Sequence, residues 1–222
     1  MLKHTWFLLV IAAVFSSAAS LPRCGRGVNV AEYQRWVDRG EPYSVAACAG
    51  WDPKQLFEEK KTDLELARGE VIKLEHLGSV AKAALEAGLT DEAKSYADQA
   101  LALAAEDRFK NAPTVSFQGS AEGDAVFLGN LVLGRLALLR GDVAAAEKYL
   151  LLSGQIKAGE PTFWGPNMTL ARELLKRHRS KVVLEFLEEV KLFWRSDGSQ
   201  QADNWAGMIR AGKIPDDNLT YY

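Results

Sequence analysis

The sequence predicts an all-α fold of repeated helical hairpins, because one pattern of residue types recurs three times along the chain. Each copy starts with an apolar residue followed by a small one. A turn position, a small or β-branched position and an aromatic position follow at fixed distances. This register describes a helix, a tight turn and a second helix, as in stacked hairpin scaffolds. The copies are Val80-Ala81, Gly88, Ala93 and Tyr96; Leu133-Gly134, Gly141, Ala146 and Tyr149; and Leu170-Ala171, His178, Val183 and Phe186.

Each position of the pattern has a physical reason. Small residues let two helices approach closely, because a bulky side chain would push their axes apart. Gly88 and Gly141 suit the residue after a helix C-terminus, where φ is positive, and His178 suits it less well. We expect Thr90-Asp91 and Asp142 to cap the second helices. The aromatic residues are expected to wedge between successive hairpins.

These positions resemble the small, glycine and aromatic positions of the tetratricopeptide repeat. The resemblance covers about residues 74–193, with hairpins at about 74–105, 125–155 and 166–193, and the third copy is degenerate. The copies lie 53 and 37 residues apart, and a generic amphipathic bundle is the alternative. The resemblance implies an α-solenoid. Four further segments together resemble a set found in bacterial tetratricopeptide-like proteins: 165–168, 183–186, 193–194 and 213–216. This resemblance implies a fold and no established activity.

The repeat domain is predicted to span residues 53–222. Asp52-Pro53 is a suitable N-cap followed by proline at the first helical position. Residues 54–75 fit either one long charged helix or two shorter helices with a break at Thr62-Asp63 or at Gly69. The span Glu106–Asp124 predicts a loop, and we expect its Phe109 and Phe117 to fold back partly onto the body.

The end of the chain predicts the third hairpin and a cap for the stack. Gly165-Pro166 is expected to start the third hairpin. A last short helix is expected to cap the stack through Trp205 and Ile209, and Gly212 is expected to end that helix.

Residues 1–20 have the pattern of a signal peptide: a short polar start, an apolar run over 6–15 and small residues over 16–20. The apolar run is about ten residues long, whereas a bilayer-spanning helix needs roughly twenty. We therefore expect cleavage, with no integral membrane segment in the mature chain. The protein is predicted to be exported, to the periplasm or outside the cell, in a bacterium.

Residues 21–52 predict a small N-terminal cap stapled by a disulfide. Cys24 and Cys48 are the two cysteines of the chain, and an even number in an exported protein favours one bridge between them. Metal binding is the alternative, but it needs further His or Cys ligands, and residues 21–75 contain no other.

Composition and motifs argue against several classes of function. The 27 basic and 29 acidic residues give a net charge of −2, and no basic run is long enough to predict nucleic-acid binding. The longest basic cluster, Lys176–Arg179 with Lys181, is interpreted as solvated charge that complements a helix dipole. His76 and His178 belong to no catalytic motif. We therefore predict no enzyme, no metal and no cofactor.

The position after each small residue of the first helices suggests a binding surface. It is basic in all three copies, at Lys82, Arg135 and Arg172. A basic groove suits an acidic peptide or a C-terminal carboxylate, so the predicted function is a scaffold for a protein or peptide partner. Exposed helix positions are, however, often basic in any protein. The alternative function is an accessory subunit of an envelope assembly that uses the aromatic surface of Phe163, Trp164, Trp194 and Trp205.

Overall fold

A computed structural model describes residues 52–110, 120–157, 165–194 and 198–215, and the chain is all-α in these ranges. The predicted signal peptide, Cys24, Cys48, Phe117, Phe163 and Trp164 lie outside them. A short 3₁₀ turn, Asp107–Phe109, follows the third helix. The eight helices of the described ranges are α1 (Pro53–Leu66), α2 (Glu70–Glu86), α3 (Thr90–Ala104), α4 (Ala121–Leu139), α5 (Val143–Gly154), α6 (Thr169–Leu175), α7 (Ser180–Phe193) and α8 (Gly198–Arg210).

The charged segment after residue 53 forms two helices and not one. Asp52 caps α1 as expected, because its side chain accepts a hydrogen bond of 3.0 Å from the backbone N–H of Lys54. The break before α2 includes Gly69, whose φ of +98° favours glycine. α1 packs against α2, with Leu56 and Phe57 as its buried residues.

Helix α4 is the centre of the fold. It packs against α2, α3, α5 and α6, and 14 of its 19 residues are buried. A helix that is apolar on all sides needs partners on all sides, and the sequence of α4 has this character. Its start at Ala121, capped by the Ser120 hydroxyl, shortens the loop that we predicted up to Asp124.

Glycines set how closely the helices approach α4. A Cβ atom added to Gly78 of α2 would lie 2.8 Å from the Cβ of Leu128, and one added to Gly129 would lie 2.9 Å from Leu101 of α3. Real Cβ atoms do not approach so closely. Each of these glycines therefore allows its helix to pack at this distance from the neighbouring helix.

Gly134, one of the small positions of the pattern, allows α4 to pack closely against α5 and α6. A Cβ atom there would overlap the side chain of Leu170 on α6 and would lie 3.1 Å from the Cβ of Tyr149 on α5. Ala146 on α5 is fully buried. These contacts agree with the predicted close packing of the small residues.

The turns inside the three helix pairs share one backbone geometry. In each turn one residue has positive φ, +79° at Gly88, +79° at Gly141 and +60° at His178. The same residue and its successor close the helix with the two backbone hydrogen bonds of a Schellman motif. His178 thus takes the conformation of its glycine counterparts, although a side chain disfavours it. Gly212, with φ of +76°, ends α8 in the same way, as expected.

The aromatic positions lie between layers of the core. Tyr149 packs against apolar residues of both the first and the second halves of the fold, and Phe186 is fully buried. The Tyr96 ring lies 6.4 Å from the ring of Phe57 on α1. Phe109 folds back and is buried beside Leu74, which confirms that expectation.

Two predicted helix starts are wrong in detail. Thr90 and Asp91 do not cap α3 from outside, because Leu89 occupies the N-cap and both residues belong to the first helical turn. The third pair starts at Thr169 and not at Gly165-Pro166, and the Asn167 side chain accepts a hydrogen bond of 3.0 Å from the Thr169 N–H. Asp142 does cap α5, through the N–H of Ala145 at 2.9 Å.

The C-terminal helix caps the described part of the fold. Trp205 and Ile209 are buried, and α8 packs against α7. The rings of Trp194 and Trp205 stack with their centroids 5.4 Å apart. Gly165 and Gly198 both contact the Trp194 ring so closely that a Cβ atom at either position would overlap it.

We predict that Gly134→Leu lowers the free energy of unfolding by about 1–3 kcal/mol, because the new side chain must displace Leu170 or Tyr149. Chemical denaturation measures the effect. Gly207→Leu is the matched control, since Gly207 is also helical but has nothing within 4 Å of an added Cβ. The packing account is wrong if both variants lose the same stability.

We predict that His178→Gly raises the free energy of unfolding by up to about 1 kcal/mol, because glycine adopts positive φ without steric strain. Gly141→Ala at the equivalent turn should lower it by about 1 kcal/mol for the converse reason. Thermal and urea unfolding report both. A loss of stability in His178→Gly would contradict the assigned backbone conformation.

Candidate functional site

The three predicted basic residues lie on α2, α4 and α6, the first helices of the three pairs. Their environments differ. The Lys82 side chain is only 3% exposed, the Arg135 side chain is 20% exposed, and Arg172 is partly buried. The structure therefore places Lys82 in the body of the fold, and Arg135 and Arg172 closer to solvent.

Carboxylates connect these residues across the helices. The Lys82 ammonium lies 3.2 Å from Glu86, one turn further along α2. Glu86 also lies 3.9 Å from the Arg135 guanidinium, and the Arg135 Nε donates a hydrogen bond of 3.1 Å to Glu173 on α6. We call Lys82, Glu86, Arg135, Arg172 and Glu173 the charged strip.

Contacts between the first helices also show their relative direction. Gly78 and Glu86 of α2 contact Leu128 and Arg135 of α4 in the same order, so these two helices run parallel. On α4 and α6 the charged strip links Arg135 to Glu173. The strip therefore crosses three neighbouring helices and is built from equivalent faces of each.

Burial lowers the pKa of Lys82 to about 8, because the charged ammonium loses most of its hydration. The carboxylate of Glu86 opposes this effect by its charge and its hydrogen bond. The nearby cations Arg135 and Lys60 lower the pKa of Lys82 further. Glu86 thus keeps a buried amine largely protonated near neutral pH.

Arg135 is incompletely satisfied within the described part of the chain. Its Nη1 atom is buried and has no hydrogen-bond partner there, because the nearest carboxylate oxygen of Glu86 is 3.9 Å away. A guanidinium carries five donors in a rigid fork, and it binds carboxylates best when two donors are used together. A small rotation of Glu86 towards Arg135 would complete this bond.

A second feature is an open groove between α1, α2 and α3, with a volume of about 540 Å³. Its wall combines apolar and charged side chains and includes no member of the charged strip. The lining residues are Leu64, Glu65, Lys73, Leu77, Gln99, Ala102, Leu103 and Glu106.

Across 52–110, 120–157, 165–194 and 198–215, no group of three or more His, Cys, Asp and Glu side chains could hold a metal ion. His76 lies on α2 and His178 lies in the exposed turn after α6. Among the same residues, no helix is both long and apolar enough to cross a bilayer.

The two carboxylates of the charged strip were missed by sequence reasoning. Glu86 carried a usable signal, because it follows Lys82 by four residues and such pairs meet on one helix face. Glu173 carried no local signal. It meets Arg135 only because α4 and α6 are neighbours, which depends on the tertiary packing.

No protein-family model matches the chain. Comparison with curated proteins and with solved structures also found no significant match.

We predict that wild-type stability rises relative to Lys82→Met between pH 8 and 10.5. In this window the unfolded chain keeps the Lys82 proton while the folded chain has released it, so the free energy of unfolding increases with pH. The full gain is about 3 kcal/mol by the size of the shift. Urea unfolding of both proteins at a series of pH values measures it.

Methionine does not titrate, and every other ionisable group is common to both proteins, so the difference between them isolates Lys82. A difference that stays constant or shrinks as the pH rises would contradict the burial of the ammonium.

Proposed function

We propose that this chain is a tetratricopeptide-like repeat scaffold, an α-solenoid of three hairpins, and that it binds a protein or peptide partner. Three helix pairs with equivalent turns support the repeat. α5 and α7 also run parallel, because Glu147 near the start of α5 pairs with Arg179, and Gly154 at its end lies against Phe186. The second helices of the second and third pairs therefore lie side by side and parallel, as neighbouring repeats require.

The observation that carries the binding proposal is the charged strip on the first helices. Two of its cations, Lys82 and Arg135, are held by carboxylates from the same and neighbouring helices, so their positions are fixed before any partner arrives. Preorganised charges lower the entropic cost of binding. Arg135 and Arg172 are the partly exposed cations of the strip, whereas Lys82 is buried.

The partner proposed for this surface is an extended acidic segment. Arginine binds carboxylates through two parallel hydrogen bonds, and a strip that crosses three helices suits an extended peptide. The scaffold has no catalytic role and needs no cofactor in this proposal. It acts outside the cytoplasm, in the periplasm or beyond, as the signal-peptide pattern of residues 1–20 indicates.

The accessory-subunit alternative depends on an exposed aromatic surface. Trp205 is buried, and Trp194 is partly buried and packed against two glycines, so these two rings offer little area to a partner. Phe163 and Trp164 lie outside the described residues. The charged strip is therefore the better candidate.

We predict that the double variant Arg135→Met, Arg172→Glu binds the partner about tenfold more weakly than wild type, since each charged contact is worth about 1 kcal/mol or less. Methionine at 135 removes the cation without placing a third carboxylate between Glu86 and Glu173. Binding should also weaken as salt rises, because exposed charges are screened over about 8–10 Å.

The partner is first captured on immobilised protein from the envelope fraction, identified, purified and then titrated against both proteins at low and high salt. Arg68→Glu with Lys73→Met makes the same charge change at two exposed positions away from the strip. Equal affinity of all three proteins at both salt levels would exclude the strip as the binding surface.

A further inference from the structure

The turns of the second and third helix pairs form a basic tip at one end of the fold. Arg140 is exposed in the turn between α4 and α5, and every residue from 176 to 181 is exposed in the turn between α6 and α7. The Arg179 guanidinium pairs with Glu147 of α5, which brings the two turns to the same end. The basic tip consists of Arg140, Lys176, Arg177, Arg179 and Lys181.

Helix dipoles explain only part of this tip. Lys176 and Arg177 follow the C-terminus of α6, where cations are favourable. Arg179 and Lys181 stand at the N-terminus of α7, where the partial positive charge of the helix disfavours them. The solvated-charge interpretation of this cluster therefore fails for its second half.

The second helices of the other two pairs have acidic residues at their starts. The first turn of α3 contains Asp91 and Glu92, and Asp142 caps α5 through its side chain. α7 has no acidic residue in its first turn and no side-chain cap. The third turn thus carries cations where the other two turns have acidic residues, and acidic residues stabilise a helix start whereas cations do not.

The backbone of the third turn is also less favourable than its counterparts. His178 adopts φ of +60° where the two equivalent residues are glycines. Three features therefore reduce the stability of this turn. The helix start has no side-chain cap, cations stand at the helix N-terminus, and a side chain adopts the left-handed region. Local choices that work against the fold are expected at functional sites.

The charge of the tip is not neutralised within the described part of the chain. The five basic side chains outnumber the carboxylates near them in the chain or in space, which are Asp142, Glu147, Glu173 and Glu185. Asp142 and Glu147 already have partners in Ala145 N–H and Arg179. Leu139, next to Arg140, is 69% exposed. The tip therefore combines excess positive charge with an exposed apolar side chain at one end of the fold.

We propose that the basic tip docks onto the anionic lipid headgroups of a membrane surface. An end of the fold that carries cations on two adjacent turns can contact a flat membrane surface. A peptide, by contrast, is normally held along a groove, as on the charged strip. Each cation near an anionic leaflet increases binding about fivefold, and Leu139 can enter the interface between headgroups and acyl chains.

Co-sedimentation of the full chain with vesicles tests the proposal. Vesicles of phosphatidylcholine mixed with phosphatidylglycerol provide the anionic surface, and vesicles of phosphatidylcholine alone report any binding through the apolar residues 6–15, which all variants share. We expect clear preference for the anionic vesicles and its loss at high salt. The triple variant Lys176→Glu, Arg177→Glu, Lys181→Glu should reduce that preference at least tenfold. Arg179 is left unchanged because it pairs with Glu147.

The matched control is Lys54→Glu, Arg68→Glu, Lys73→Glu, which makes the same charge change at exposed positions on α1, on α2 and between them. It should keep most of the preference, and thermal unfolding verifies that both triple variants are folded. The proposal is overturned if wild type shows no preference for anionic vesicles, or if the control loses as much as the tip variant. Tip-dependent binding to polyglutamate without binding to vesicles would also overturn it, in favour of an acidic protein.

Discussion

The close approach of helices to α4 is the constraint on which the rest of the fold depends. α4 is buried on nearly all sides, and it connects the helices before it to those after it. Gly129 meets Leu101 of α3, and Gly134 meets Leu170 of α6. Packing is as dense in protein interiors as in organic crystals, so side chains at these glycines would separate the halves of the fold.

This packing also assembles the charged strip. Arg135 follows Gly134 directly, so the contact that brings α6 close to α4 also brings Glu173 within hydrogen-bond distance of the guanidinium. Glu86 is placed in the same way from α2. The strip contains a largely buried ammonium, and breaking such an arrangement by removing one partner usually costs more than the pair contributes. The surface proposed for a partner is therefore a consequence of the core beneath it.

Much of the fold could be predicted from local patterns. The small, turn and aromatic positions predicted the three helix pairs, since each reflects a requirement of helix geometry that a few residues express. Glycine at positions 88 and 141 predicted the positive φ of these turns. His178 adopts a positive φ as well, although its residue type gives no such signal. Its strain is tolerated because the surrounding helices determine the turn, which the local sequence does not reveal.

The candidate site was less predictable. The basic positions 82, 135 and 172 were identified, but their different burial depends on neighbours that are distant in sequence. Lys82 is covered because α1 and α4 pack around its helix, and Glu173 meets Arg135 across two elements. The basic cluster at 176–181 was visible in the sequence. Its relation to the dipole of α7 needed the exact helix start at Ser180.

The central claim is that Gly134 of α4 and Leu170 of α6 face each other and set the distance between successive hairpins. A double-mutant cycle tests it most directly, with Gly134→Leu and Leu170→Ala made singly and together and their free energies of unfolding compared. We expect the smaller residue at 170 to make room for the larger one at 134, so that the double variant is at least about 1 kcal/mol more stable than the sum of the single effects predicts. Additive effects would contradict the packing of α4 against α6, and with it the register of the repeat.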